Sequence, residues 1–157
     1  MKYFLMAVIF LISIISFFLF QRMSIYPFKC IAFSEYHLLR KGSGIIFNVS
    51  QDLRFYNEKI GFFNISGVVE DDKGGRYILD RKINLTRGKR IDNDTVEYNF
   101  GNIDKGEIDD TSEELYEILI SEFTSSKESL QLDLINPGEN VWVIGTSTSF
   151  VMTCYAY

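Results

Sequence analysis

Three groups of residues could do chemistry: one histidine, one pair of cysteines, and a run of paired carboxylates. His37 is the sole histidine in 157 residues. One imidazole cannot assemble a histidine-based metal site or a catalytic triad. Its functional use would be to register mild acidification; its plain reading is a strand-end surface residue. Cys30 and Cys154 are the only cysteines, and neither has a CxxC partner, which argues against a zinc centre or dithiol redox chemistry. In an oxidising compartment an isolated pair bonds. It would close a loop of more than 100 residues, worth on the order of 4–5 kcal/mol in the chain-entropy model. In a reducing compartment the same residues would be two buried thiols. Asp109-Asp110 and Glu113-Glu114 could hold a divalent cation, but they lack the alternating spacing of a calcium loop and suit the positive end of a helix better. Mutual repulsion would raise the pKa values of such a cluster, a second route to an acid response. There is no HExxH, no nucleophile elbow and no phosphate-cradling glycine loop; "DDKGGR" at 71–76 reads as a hairpin turn. The expectation is a protein that is not an enzyme and has no metal and no cofactor.

These residues must be placed by elements whose pattern is mostly period two. Val96, Tyr98 and Phe100 alternate with Thr95, Glu97 and Asn99. Leu130, Leu132 and Leu134 alternate with Gln131 and Asp133, and Tyr77, Leu79, Ile83 and Leu85 oppose Asp80, Lys82 and Asn84. Such alternation builds strands with one buried and one solvated face. Further strands are expected over 28–36, 44–52, 61–70, 141–145 and 150–155. Lys41-Gly42, the run at 72–75, Arg87-Gly88, Gly101-Asn102 and Asn136-Pro137-Gly138 are read as turns. One segment, "DDTSEELYEILISEF", breaks the period. Thr111 followed by Glu114 reads as a capping box, and Leu115, Ile118, Leu119 and Phe123 fall at helical spacing, giving one amphipathic helix of about eleven residues. The fold class is α+β: about eight mostly antiparallel strands, curled toward a barrel, with one helix on the sheet. A Cys30–Cys154 bond would bring the first and last strands together.

The N-terminal run 3–20 carries no charge and is long enough, at about 1.5 Å per residue, to approach the hydrocarbon thickness of a bilayer. No small-x-small cleavage pair follows it. The organisation expected is a transmembrane signal anchor at 1–22, a linker at 23–27 and one domain at 28–157. The basic residues near the run, Lys2 and Arg22, give only a narrow positive-inside margin; the N-terminus is placed in the cytoplasm and the domain outside it. All 21 carboxylates lie after Arg22, whereas two of the 16 cations lie at or before it, so the remainder carries a formal charge of −7. That balance argues against direct nucleic-acid binding and against lying flat on anionic lipid.

With the short anchor, "FKCIAF" at 28–33 and "NVWVIGTSTSFVMTCYAY" at 140–157, the chain resembles the small single-pass accessory proteins of the PsaF/MyfF type, which share their plan with FidL-like membrane proteins and resemble ToxS-like proteins in role. The resemblance rests on layout and on the cysteine-bearing end strands, Cys30 and Cys154. It implies an inner-membrane anchor and a periplasmic α/β domain in a Gram-negative bacterium. It also implies a partner, a ToxR-like (PsaE/MyfE-like) transmembrane winged-helix regulator met through periplasmic domains. The role implied is to stabilise or tune that regulator of fimbrial and virulence genes in response to temperature or acidity. An alternative is an anchored module that binds a small amphipathic or apolar ligand inside an open barrel; a third is an anchored enzyme of unknown type.

Overall fold

The computed structural model describes residues 6, 8–16, 26–40, 42–124, 126, 128–146 and 149–157. Eight strands, β1 Phe28–Arg40, β2 Ser43–Phe55, β3 Gly61–Asp71, β4 Arg76–Arg90, β5 Thr95–Lys105, β6 Ser129–Gly138, β7 Val141–Gly145 and β8 Phe150–Ala156, pair in sequence order as a closed antiparallel barrel. One helix, α1 Glu113–Phe123, lies between β5 and β6. The period-two pattern explains the closure. On β2, Ile45, Phe47, Val49, Gln51, Leu53 and Phe55 all point inward and are buried, and closing the sheet removes both free edges.

The barrel has two unlike ends. The entry end holds Tyr26, the 56–60 and 91–94 loops and the C-terminus. Its interior is aromatic: Phe55 stacks on Phe28 at 5.5 Å and on Tyr98 at 4.8 Å, and Phe28 meets Trp142 edge-on at 5.1 Å. The helix end holds the β1–β2 and β3–β4 hairpins and α1. Strands β1 to β4 run 11 to 15 residues, whereas β7 has 5 and β8 has 7. One wall therefore overshoots the other, and α1 fills the gap above the short wall. Phe123 drops into the barrel against Tyr36 (5.7 Å) and Phe63 (5.9 Å).

Several expectations change. β1 continues to Arg40, beyond the expected 36, because hairpin pairing runs on to Arg40 opposite Ser43 after inward burial has faded. Arg87-Gly88 and Gly101-Asn102 are not turns. They lie within β4 and β5 beside register shifts, where the strands bulge. Arg87 has φ 51°, and a Cβ on Gly88 would collide with the Glu58 carbonyl and the Tyr98 ring. Bulges and hairpin turns draw on the same residue types. The helix cap is Ser112, not Thr111: Ser112 Oγ accepts from the Leu115 amide at 3.3 Å. Thr111 is held by the edge of β4, its amide (3.2 Å) and hydroxyl (2.8 Å) both donating to the Ile78 carbonyl.

Residues 8–16 are helical with exposed side chains. Among the described residues no helix is long and apolar enough to cross a membrane. The anchor at 1–22 and the linker at 23–27 lie largely outside the described residues.

Candidate functional site

Cys30 and Cys154 form a disulfide, with Cα atoms 5.6 Å apart, and both are fully buried at the entry end. The bond sits where closure is thinnest. β1 and β8 pair only at Cys30–Ala156 and Ile31–Tyr155, whereas β1 and β2 pair over thirteen positions. Farther along that seam a side chain replaces the missing ladder: Tyr36 Oη donates to the Val151 carbonyl at 2.7 Å and lies 3.0 Å from Gln51 Oε1, which accepts from Ser34 Oγ at 2.9 Å. Burial, the largest influence on Tyr36, pushes its phenol up, so it stays protonated and able to donate. His37 lies elsewhere, exposed on β1 against the Glu35 carboxylate. The structure does not bring it together with the disulfide.

The paired carboxylates have a different partner from any the sequence suggested. Arg81 points into the barrel from β4 and is 2% exposed. Its Nε donates to Asp109 Oδ2 (3.1 Å), Nη1 to Glu113 Oε2 (2.8 Å) and Nη2 to the Thr111 carbonyl (2.9 Å), and its guanidinium stacks on the Tyr116 ring at 4.2 Å. Asp109 also accepts from the Asp80 amide at 2.9 Å and pairs with Lys105 at 3.3 Å. Burial pushes the Asp109 carboxyl up, but the Asp80 amide, Arg81 and Lys105 outweigh it and hold the group below the usual carboxylate range. The bond from Arg81 holds Glu113 low as well. The mutual raising read from the sequence is thus corrected for Asp109 and Glu113: the Asp80 amide, Arg81 and Lys105 hold the first low, and Arg81 holds the second low. The signal was available, since Arg81 shares the inward parity of Leu79 and Ile83. The 109–113 segment is a latch that fixes the start of α1 to β4.

Beside this latch the barrel wall opens. β5 pairs with β6 only through Thr95–Asn99, opposite Asp133–Ser129, while its later residues continue to Lys105 against β4. Beyond the contact of the Phe100 amide with the Glu128 carbonyl at 2.8 Å, no described strand pairs with that edge of β5. A groove of about 430 Å³ runs between the edge and α1, floored by Ile83, Phe100, Ile103, Tyr116 and Ile120, with Glu117 on its rim. Tyr116 Oη is buried with no partner among the described residues, and burial pushes that phenol up, so it is neutral and free to bond. One interior void among the described residues is much smaller. The void among Leu53, Phe63, Phe123, Leu132, Ile144 and Met152 does not admit a water. Phe123 and the inward side chains fill the barrel at that level.

A family model described as FidL-like putative membrane protein matches residues 67–154. The chain belongs to the FidL-like family. The matched stretch runs from β3 to Cys154 and includes the Arg81 latch, α1 and the β5 edge, while Cys30 and His37 precede it. No curated protein matches the FidL-like chain.

Proposed function

We propose that this FidL-like protein is a non-enzymatic, membrane-tethered accessory protein. Its barrel lies on the periplasmic side of a bacterial inner membrane and binds the corresponding domain of a ToxR-like transmembrane regulator, stabilising or tuning it in response to envelope conditions. The observation that carries this reading is the 101–105 edge of β5 above the α1 groove, which no strand among the described residues pairs. An extended partner segment could add there as a strand, gaining main-chain hydrogen bonds from the edge and specificity from the apolar floor. The buried disulfide supports an oxidising compartment, and the family supports the membrane. Two chains tethered in one membrane meet at raised effective concentration, so a modest contact suffices.

The test is genetic and chemical. A photo-crosslinking residue at Ile103 should capture one membrane-bound regulator. Ile103→Asp should abolish that capture and lower the regulator's steady-state level and transcriptional output. Unchanged regulator level and output after deletion of this protein, in both neutral and acidic media, refutes the proposal.

The same groove favours one second reading. Its volume falls in the range of small-ligand pockets, and Tyr116 supplies a polar handle, so an amphipathic small molecule could sit there. A thermal-shift screen of residues 24–157 with amphipathic compounds, repeated on Tyr116→Phe, tests it; absence of stabilisation by every compound removes it.

A further inference from the structure

The formal charge of −7 after Arg22 conceals a strong asymmetry. The helix end has an excess of acid: Glu-Asp-Asp at 70–72, Asp109-Asp110, Glu113-Glu114, Glu117 and Glu122 outnumber Arg40, Lys73, Arg76, Arg81 and Lys105. The entry end is balanced: Lys29, Arg54, Lys59, Arg87, Lys89 and Arg90 stand beside Asp52, Glu58, Asp92, Asp94, Glu97 and Glu139, with Arg54 paired to Asp52 and Lys89 to Glu97, each at 2.6 Å. It also exposes four large residues around the rim: Tyr56 at 55%, Ile60 at 48%, Ile91 at 48% and Tyr157 at 61%. Arg54 lies over the Tyr157 ring at 5.5 Å and the Phe62 ring at 5.2 Å, so cations and rings alternate there. The side of the helix end exposes apolar residues too, Leu39 at 83%, Ile108 at 65%, Phe150 at 63% and Ile78 at 41%, but Ile108 stands between Glu107 and Asp109 and Ile78 is bonded to Asp110.

We propose that the entry end of the barrel is seated on the bilayer surface, with Tyr56, Ile60, Ile91 and Tyr157 at the headgroup boundary and the acidic helix end facing away. This rests on the membrane tether of the proposed function. Chain length decides the orientation. Seven residues, 21–27, separate the apolar run at 3–20 from β1, and at roughly 3.3–3.6 Å each they reach no more than about 25 Å. β1 has 13 residues, about 43 Å of strand at roughly 3.3 Å per residue. A tether that short, leaving from the entry end, cannot carry the opposite end round to the lipid. Interfacial preference acts in the same direction: tyrosines partition to the headgroup region, and the acid excess of the helix end is repelled by anionic lipid while the balanced entry end is not. The acidic balance read from the sequence as an obstacle to lipid contact therefore belongs to the end that points away. The groove beside α1 then opens above the membrane, where a second tethered chain can reach it.

The full chain is reconstituted in nanodiscs of phosphatidylethanolamine and phosphatidylglycerol, with an environment-sensitive fluorophore on one introduced cysteine. Both native cysteines are disulfide-bonded and stay unlabelled. Near sites are Tyr56→Cys, Ile60→Cys and Ile91→Cys; far sites are Leu39→Cys, Lys73→Cys and Ile108→Cys. Quenching by lipids nitroxide-labelled near the headgroup should be several-fold stronger at all three near sites than at the far ones. Ile60→Ser with Ile91→Ser should reduce it at Tyr56→Cys. Equal quenching at all six sites, with the chain retained in alkali-washed membranes, overturns the seating alone. Loss of the chain from washed membranes overturns the tether and the seating together.

Discussion

Arg81 shows how much one residue can decide. Its charge is buried against Asp109, whose side chain is wholly buried, and Glu113, whose side chain is 72% exposed. Removing one partner of a buried pair leaves the other uncompensated, typically at 3–5 kcal/mol. Arg81→Ala should therefore lower the unfolding free energy by about that amount and raise hydrogen exchange first in α1. Urea titration and amide exchange measure both, and a loss below about 1 kcal/mol would show that Lys105 and the Asp80 amide hold Asp109 without it. The pH dependence has a definite sign. A carboxylate depressed in the folded state contributes stability above its unfolded pKa of about 4, and that stability is lost as pH falls through the lower folded value. The difference between wild type and Asp109→Asn should be constant from neutral pH to about pH 5 and vanish only in strong acid. A difference that already shrinks near pH 6 would show that the latch responds to mild acid. At the seam, Tyr36→Phe removes the bond to Val151 and should cost about 1 kcal/mol in thermal unfolding with no change in circular dichroism.

Among the elements, α1 closes the barrel and also borders the groove. Tyr116, Leu119 and Phe123 form its buried stripe. The stripe expected from spacing included Leu115 and Ile118, which are only partly buried; the latch rotates the helix so that Tyr116 faces Arg81. Phe123→Ala should cost about 3–5 kcal/mol and leave a cavity that binds a small apolar probe, detectable by thermal shift. Glu117→Lys, on the exposed rim of the groove, should leave stability within about 0.5 kcal/mol of wild type while weakening capture of the partner segment at Ile103. Equal capture by both proteins would move the contact away from the rim.

For the whole molecule, the disulfide sets how firmly the barrel closes. It joins residues 124 apart across a two-residue ladder, and the chain-entropy relation gives about 4–5 kcal/mol for such a loop. Cys30→Ala with Cys154→Ala, or reduction, should lower the urea midpoint accordingly and expose β1 and β8 amides before those of β2 and β3. Unchanged midpoints in reductant would mean that packing alone closes the seam. The two ends then divide the labour: the entry end carries the covalent closure and the charge-balanced, tyrosine-rich rim, and the helix end carries the excess acid and the open edge.

The alternation of Val96, Tyr98 and Phe100, or of Leu130, Leu132 and Leu134, determined by itself that this chain makes amphipathic strands. The helical spacing from Leu115 to Phe123 determined one helix, and the positions of Cys30 and Cys154 implied that the first and last strands meet. These features are local or pairwise, so they can be read along the chain. Tertiary structure alone decided that Arg81 would capture Asp109 and Glu113, that Thr111 would serve β4 and leave the cap to Ser112, and that Arg87-Gly88 would bulge without turning. It also decided which end would gather the carboxylates. Each of these depends on residues far apart in sequence being brought within a few ångströms, where burial and Coulomb forces gain strength. No window along the chain contains that distance.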